Sequence, residues 1–284
     1  MRKYSIVPVV TPFFKGSPDI KLLKRHIDNL LKKGVDKIFL FGSTGLGPSL
    51  TMQEKTFILN SFVEYGDYLI PQVGSLNLSD SIELTKLAKK NMCWAVASFS
   101  PYYYPRMPDS WVQRYFSKIS SIHDTMIYNI PAATGYNISS SMITDLVKSG
   151  AKIIGVKDTI QDFTHMLELR SSLPNEVLVL CGPDLLSLSA LRSGLDGIVA
   201  GSGNYIPDTI VELKKKYETA EGFRLQIKIN ELTSLARKYG QYSANYDMVS
   251  IIQRYSVGQP RPPIFPLTNS QHRILEEEIH RLDI

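Results

Sequence analysis

Apolar residues follow two spacings along this chain, and the two alternate. Short runs rich in Val, Ile, Phe and Ala recur about every 20 to 35 residues: SIVPVV at 5–10, KIFLFG at 37–42, LIPQVG at 69–74, WAVASF at 94–99, TMIYNI at 125–130, IIGVKD at 153–158, VLVLCG at 177–182 and GIVAG at 197–201. Runs this short and this continuously apolar suit strands of a parallel sheet covered on both faces. Between them lie segments with helical spacing. In DIKLLKRHIDNLLKKG, residues 19–34, Asp19 is placed to cap, Leu22, Leu23, His26, Ile27, Leu30 and Leu31 share one face, and Gly34 is placed to stop the helix. The unit is strand then helix. Eight such units predict a (β/α)8 TIM barrel of the α/β class, because a doubly wound sheet rarely needs eight. The barrel is expected over residues 1–206. From Pro207 onward the pattern is helical and is broken by GQPRPPIFPL at 258–267, which predicts a C-terminal helical extension over 207–284.

Composition narrows the partners more than the fold. With 284 residues, 43% of them hydrophobic, the chain can bury a large core. Its 32 basic and 27 acidic residues give a formal charge of +5, without a block of like charges that would make a nucleic-acid arm. No nucleic-acid partner is expected. The opening MRKYSIVPVVTPF is apolar only briefly and is interrupted by Pro8 and Pro12, which argues against a signal peptide or a membrane span. Cys93 and Cys181 each fall in a stretch that reads as strand, so two buried free thiols in a reducing cytoplasm are expected rather than a disulfide. The five histidines are scattered, and no ligand spacing joins them to the cysteines. Neither metal nor cofactor is expected.

The barrel changes how one charged pair is read. Lys157 and Asp158 follow the apolar run at 153–156, and such a pair is ordinarily a solvated loop corner. In a TIM barrel, however, active sites lie at the C-terminal ends of the strands. Lys157 ends the sixth predicted strand, Tyr128 ends the fifth, and the second runs into GSTGLG at 42–47, whose amides and hydroxyls can cradle an anion. Each feature alone has an ordinary explanation: Tyr128 as a core tyrosine, GSTG as a turn, PYYYPRM at 101–107 as an aromatic interface loop. Their convergence on one mouth is what makes them candidates. Asn129 and Asp158 are better read as structural partners that fix the strand ends.

With GSTG at 42–45, SPYYYP at 100–105, YNIP at 128–131 and GVKDT at 155–159, the chain resembles the pyruvate-dependent class I aldolases. That family includes dihydrodipicolinate synthase and N-acetylneuraminate lyase, and the resemblance spans the whole chain. Within it, GLGPSL at 45–50, PYYYPRM at 101–107 and QPRPPIFPL at 259–267 are similar to the archaeal 2-keto-3-deoxygluconate aldolases. The resemblance implies cleavage of 2-keto-3-deoxy-D-gluconate to pyruvate and D-glyceraldehyde in a non-phosphorylative Entner–Doudoroff type of sugar degradation. The chemistry fits the residues. Breaking the C3–C4 bond leaves a carbanion that needs an electron sink, and a protonated imine on Lys157 supplies one. Burial would free the neutral amine for attack, and Tyr128 is the candidate base for the C4 hydroxyl. The resemblance further implies a proton relay through Ser43 and Tyr103, with Tyr103 reaching from a neighbouring subunit of a homotetramer. It implies a pyruvate carboxylate held by Ser43 and Thr44, and a substrate-binding set completed by Thr159, Gly182, Asp184, Arg106 and Arg237.

Departures from the family pattern narrow the substrate. Leu46 stands where most members carry a glutamate, and Ala133 stands where dihydrodipicolinate synthases hold a second substrate's carboxylate with an arginine, which disfavours lysine biosynthesis. Arg106 and Arg237 match basic residues that lie near the far end of the sugar in phosphate-accepting relatives. The tyrosine and serine that accompany them there are Ile130 and Gln241 here. Open alternatives are the 6-phosphate or the galactonate epimer as substrate, another lyase or dehydratase using the same imine, and a catalytically inactive barrel serving as a structural partner.

Overall fold

Eight parallel strands form the centre of the molecule, each at one of the predicted apolar runs. They are β1 (Tyr4–Pro8), β2 (Lys37–Leu40), β3 (Leu69–Pro71), β4 (Val96–Ser98), β5 (Thr125–Asn129), β6 (Ile153–Asp158), β7 (Leu178–Cys181) and β8 (Gly197–Val199). The computed structural model describes residues 3–104 and 106–282. Spatial order runs β3-β2-β1-β8-β7-β6-β5-β4. A bridge between Gln72 and Ala97 joins the ends of β3 and β4 and brings the sheet round into a nearly closed barrel. The TIM-barrel expectation is met.

Helices cover the barrel: α1 (Ile20–Lys32), α2 (Met52–Ser61), α3 (Leu78–Lys90), α4 (Asp109–Ser120), the short α5 (Pro131–Thr134), α6 (Ser140–Lys148), α7 (Phe163–Ser172), α8 (Ser187–Arg192) and α9 (Pro207–Lys216). Then follow α10 (Ala220–Lys238), α11 (Gln241–Gln253) and α12 (Asn269–Arg281) at the C-terminal side. A two-residue hairpin pairs Phe13–Phe14 with Ser17–Pro18, which the apolar pattern does not announce. Among the described residues no helix is long and apolar enough to cross a membrane.

Alternation along each strand divides the core in two. Ile6, Phe39, Ile70, Ala97, Met126, Tyr128, Leu180 and Val199 pack together inside the barrel, while their neighbours Val7, Ile38, Leu69, Val96, Ile127, Val179 and Ile198 pack outward against the helices. The helices meet this outer layer with one apolar face each. In α1, Asp19 accepts the Leu22 amide at 3.0 Å as the N-cap, and Leu23, His26, Ile27 and Leu30 are buried. Leu22 and Leu31, expected on the same face, are only partly buried because the stripe is narrower than six residues. Both cysteines are buried free thiols. Cys93 lies in the turn before β4 and not in a strand, since its amide closes α3 on the Ala88 carbonyl at 2.9 Å.

His26 is a buried polar residue in this layer with both ring nitrogens satisfied. Nε2 donates to Asn204 Oδ1 at 3.0 Å, and the Tyr255 hydroxyl donates to Nδ1 at 2.7 Å. Asn204 is itself fixed, since its Oδ1 also accepts the Val10 amide and its Nδ2 donates to the Pro8 carbonyl. Burial lowers the imidazole pKa to about 4, the bond to Asn204 opposing. The unfolded chain therefore takes up a proton on this side chain near pH 6.5, while the folded chain resists it until about pH 4. Stability should be undiminished above that window and fall by about 3 kcal/mol across it. Urea midpoints from pH 7 to 4 should decline more steeply for the natural protein than for His26→Gln; parallel curves would show that His26 is not the source.

Candidate active site

The register between β5 and β6 decides which side chains meet. Tyr128 pairs with Lys157 and Asn129 with Asp158, so alternation sends the first pair into the barrel and the second towards the helices. Lys157 is 5% exposed. Its Nζ lies 4.0 Å from the centroid of the Tyr128 ring and 4.7 Å from that of Phe39, and the two rings meet edge to face at 5.4 Å. At Gly155, the other inward position of β6, a Cβ would fall 3.0 Å from the Leu178 carbonyl oxygen, so glycine lets β7 pack close here. Thus the lysine stands in an aromatic cage at the barrel mouth rather than at a solvated corner.

The loop after β2 reaches this amine from the other side. Its glycines are required sterically: a Cβ on Gly47 would fall 1.7 Å from the Phe41 carbonyl oxygen, and one on Gly45 would fall 2.6 Å from that of Val9. The tight fold brings Ser43 Oγ to 3.4 Å from the Tyr128 hydroxyl. Among the described residues the backbone amides of Ser43 and Thr44 donate to no protein acceptor, which leaves two donors for an anion. Opposite, Asp184 accepts the amides of Gly201 at 3.0 Å and Ser202 at 2.7 Å. Burial pushes its pKa up, against those hydrogen bonds and the Lys157 charge. Gly201 faces both Asp184 and the Thr44 hydroxyl.

Outside the barrel the other alternate positions lock the same strand ends. Asn129 donates to Asp158 Oδ1 at 3.1 Å and to Asn137 Oδ1 at 2.9 Å, and its own Oδ1 accepts the Ile138 amide. Asp158 is fully buried and its Oδ2 pairs with His165 Nδ1 at 2.6 Å. That bond, foremost, raises the His165 pKa, and burial opposes it. Thr159 ties the two strand ends together, its amide and hydroxyl donating to the Asn129 carbonyl at 3.0 and 2.8 Å. The Gly182 amide bonds the Asp158 carbonyl at 2.7 Å, and a Cβ on Gly182 would fall 2.7 Å from Thr159 Cγ2, so only glycine lets β7 approach here.

The structure therefore gathers Lys157, Tyr128, Ser43, Thr44, Thr159, Gly182 and Asp184 around one mouth. It leaves three expected residues apart from them. Tyr103 is 81% exposed, with φ of 76°, and packs on Tyr104; Arg106 is exposed with φ of 58°. Pro105, inside the PYYYPRM stretch, lies outside the described residues. Arg237 is exposed near the end of α10, and its charge is felt at the buried Tyr205 hydroxyl. Sequence reasoning missed two residues. Phe39 is one, an alternate position of β2 that the strand pattern could have supplied. The other is Tyr242 at the start of α11, whose pKa is raised first by burial, with Tyr128 adding to the rise and Ser43 opposing it, so that it is electrostatically coupled to both. No local signal marks Tyr242. A cavity of about 700 Å³ lies elsewhere, between Phe14, Tyr246 and His272, and touches none of these groups; its size does not outweigh the chemistry gathered at the barrel mouth.

Comparison with known proteins points the same way. The dihydrodipicolinate synthetase family model matches residues 1–282. A 2-dehydro-3-deoxy-phosphogluconate/2-dehydro-3-deoxy-6-phosphogalactonate aldolase from Saccharolobus solfataricus is 39% identical over 280 residues, covering 96% of this chain and 94% of the relative. A Sulfolobus 2-keto-3-deoxygluconate aldolase in complex with D-KDPG superposes with a TM-score of 0.93 at 38% identity, covering 99% of this chain and 96% of the other. A variant of the Sulfolobus solfataricus enzyme in a pyruvate complex gives 0.92 at 38% identity, with 98% and 96% covered.

Proposed function

Since the chain belongs to the dihydrodipicolinate synthetase family, we propose that it is a Schiff-base aldolase that cleaves 2-keto-3-deoxy-D-gluconate to pyruvate and D-glyceraldehyde. One observation carries the reading: an amine only 5% exposed, that of Lys157, lies 4.0 Å from the ring of Tyr128, whose hydroxyl is 3.4 Å from Ser43. Lys157 attacks the C2 carbonyl and water leaves, giving the imine. Tyr128 accepts the C4 hydroxyl proton, the C3–C4 pair moves onto the imine, and glyceraldehyde departs. The enamine then takes a proton at C3, and hydrolysis releases pyruvate. The free amides of Ser43 and Thr44 suit the carboxylate of the keto acid, which would place C2 over Lys157. Asp184 and Thr159 lie where the rest of the chain would pass. The relatives' names support an aldolase of sugar degradation, and the pyruvate bound to one of them supports the product half. For the exposed aromatic loop we propose the cover that the resemblance implies, a second copy within a homotetramer in the cytoplasm.

The unphosphorylated compound is the proposed preferred substrate, although relatives bind or are named for phosphorylated ones. Ile130 packs against the inner cluster that contains Tyr128 and Phe99, and its side chain has no donor for a phosphate oxygen. A dianion held without its full set of donors keeps part of its desolvation cost. Arg106 and Arg237, exposed and apart from the mouth within one chain, still offer charge that a phosphate could meet, so reduced use is expected rather than exclusion. Comparing kcat/KM for the two compounds should show the unphosphorylated one ahead. Ile130→Tyr should move the ratio towards the phosphate by about ten- to a hundredfold, the worth of one charge-assisted hydrogen bond. A natural enzyme that already prefers the 6-phosphate would contradict this part of the proposal.

A further inference from the structure

We propose that Arg261, in the Pro-rich stretch of the helical extension, is a positioning residue for the substrate carboxylate: it clamps the loop after β2 in the shape that offers the Ser43 and Thr44 amides to an anion. This rests on the aldolase reading above, in which those amides receive the keto acid. The loop has a shape that needs holding. Phe41 and Leu46 lie in the left-handed region, with φ of 60° and 52°, although neither is glycine, and such backbone persists only where its surroundings over-determine it. One line of bonds runs along it: the Leu46 amide donates to the Ser43 carbonyl at 3.0 Å, and the Ser49 amide to the Leu46 carbonyl at 2.9 Å. Beyond them the Ser49 carbonyl accepts from Arg261 Nη2.

Arg261 is itself anchored on several sides. Its fork meets Glu54 in parallel, Nη1 to Oε1 at 2.6 Å and Nη2 to Oε2 at 2.8 Å, and Nη1 also donates to the Gly16 carbonyl at 2.9 Å. The guanidinium carbon lies 4.6 Å from the centroid of the Phe13 ring. Glu54 in turn accepts the Thr51 amide at 2.8 Å and closes the capping box of α2. The two charged side chains are largely shielded, 14% exposed for Arg261 and 21% for Glu54, so the pair is bidentate and partly desolvated rather than an ordinary surface contact. One guanidinium therefore ties the hairpin after β1, the loop after β2 and the start of α2 to a segment more than two hundred positions further along the chain. Thr11 makes a second tie, its hydroxyl donating to the Gly45 carbonyl at 2.6 Å.

Arg261→Gln removes the fork and its charge and substitutes none of the groups at the barrel mouth. Borohydride trapping reads its effect with two probes, pyruvate and pyruvamide, which presents the same ketone without the carboxylate charge. The natural protein should prefer pyruvate. In Arg261→Gln that preference should fall about ten- to a hundredfold, as for a lost charge-assisted hydrogen bond. The loss should come through a higher half-saturating pyruvate concentration, with the rate at saturation and the trapping of pyruvamide changed by no more than about twofold. A merely structural role would instead lower both ketones together. Arg261→Lys keeps a charge beside Glu54 without the fork, so it should fall between the two, and it carries the test if the glutamine variant does not fold. In a double-mutant cycle Glu54→Gln should add little once Arg261→Gln has been made. An absent or unchanged preference, equal losses on both ketones, or fully additive effects of the two substitutions would overturn the proposal. A natural protein that traps neither ketone would instead remove the aldolase reading, and this inference with it.

Discussion

Tyr128→Phe is expected to cleave 2-keto-3-deoxygluconate about 10²- to 10⁴-fold more slowly than the natural protein while still forming the imine with pyruvate. The substitution is small in structural terms. The ring keeps its edge-to-face contact with Phe39 at 5.4 Å and its tilted contact with Phe99 at 6.4 Å, and the hydroxyl has a single recorded partner, Ser43 at 3.4 Å. Thermal stability should therefore change little. In the proposed mechanism what is lost is the group that takes the C4 proton as the bond breaks, an interaction made only in the transition state, so kcat and kcat/KM should fall together. Near-normal cleavage by this variant would be incompatible with the mechanism. Comparing its rate of imine formation with its rate of cleavage separates the two steps.

Lys157→Met should reduce turnover to the uncatalysed background. Methionine fills nearly the same volume between the Phe39 and Tyr128 rings and suits an aromatic cage, so the barrel should stay folded. It has no nitrogen to form the imine, and no other recorded group in the site can act as the electron sink. Residual cleavage well above background, with the fold intact by circular dichroism, would mean that another lysine does the chemistry. Removing a buried amine that has no ion pair among the described residues should if anything stabilise the protein, the pattern expected where a residue is kept for function.

All eight strands can be read from the chain because parallel strands covered on both faces must be continuously apolar. Lys157 was legible because it ends a strand of the predicted barrel, where active sites lie. Tyr128 followed from the same strand-end rule, and the pairing of Tyr128 with Lys157 in the sheet is what places the two side by side. The interior partners were harder. His165 joins Asp158 across the β6–α7 connection, which no periodicity encodes, so the sequence assigns Asp158 a structural role but not its partner. Tyr242 was invisible, because its coupling to Ser43 depends on how α10 and α11 fold back over the barrel, across nearly two hundred positions of sequence. Tyr103 and Arg106 were named through resemblance alone. Within one chain they stand at the surface, where a neighbouring copy would have to bring them to use.

The central claim is that Lys157 carries the reaction as a covalent imine, and trapping tests it without knowledge of the natural sugar acid. The protein is incubated with pyruvate, reduced with borohydride, weighed as the intact chain and mapped by peptide mass. The account predicts one pyruvate-derived addition per chain, on the peptide containing Lys157, and none in Lys157→Met. No addition, or an addition mapped to any other lysine, would contradict it.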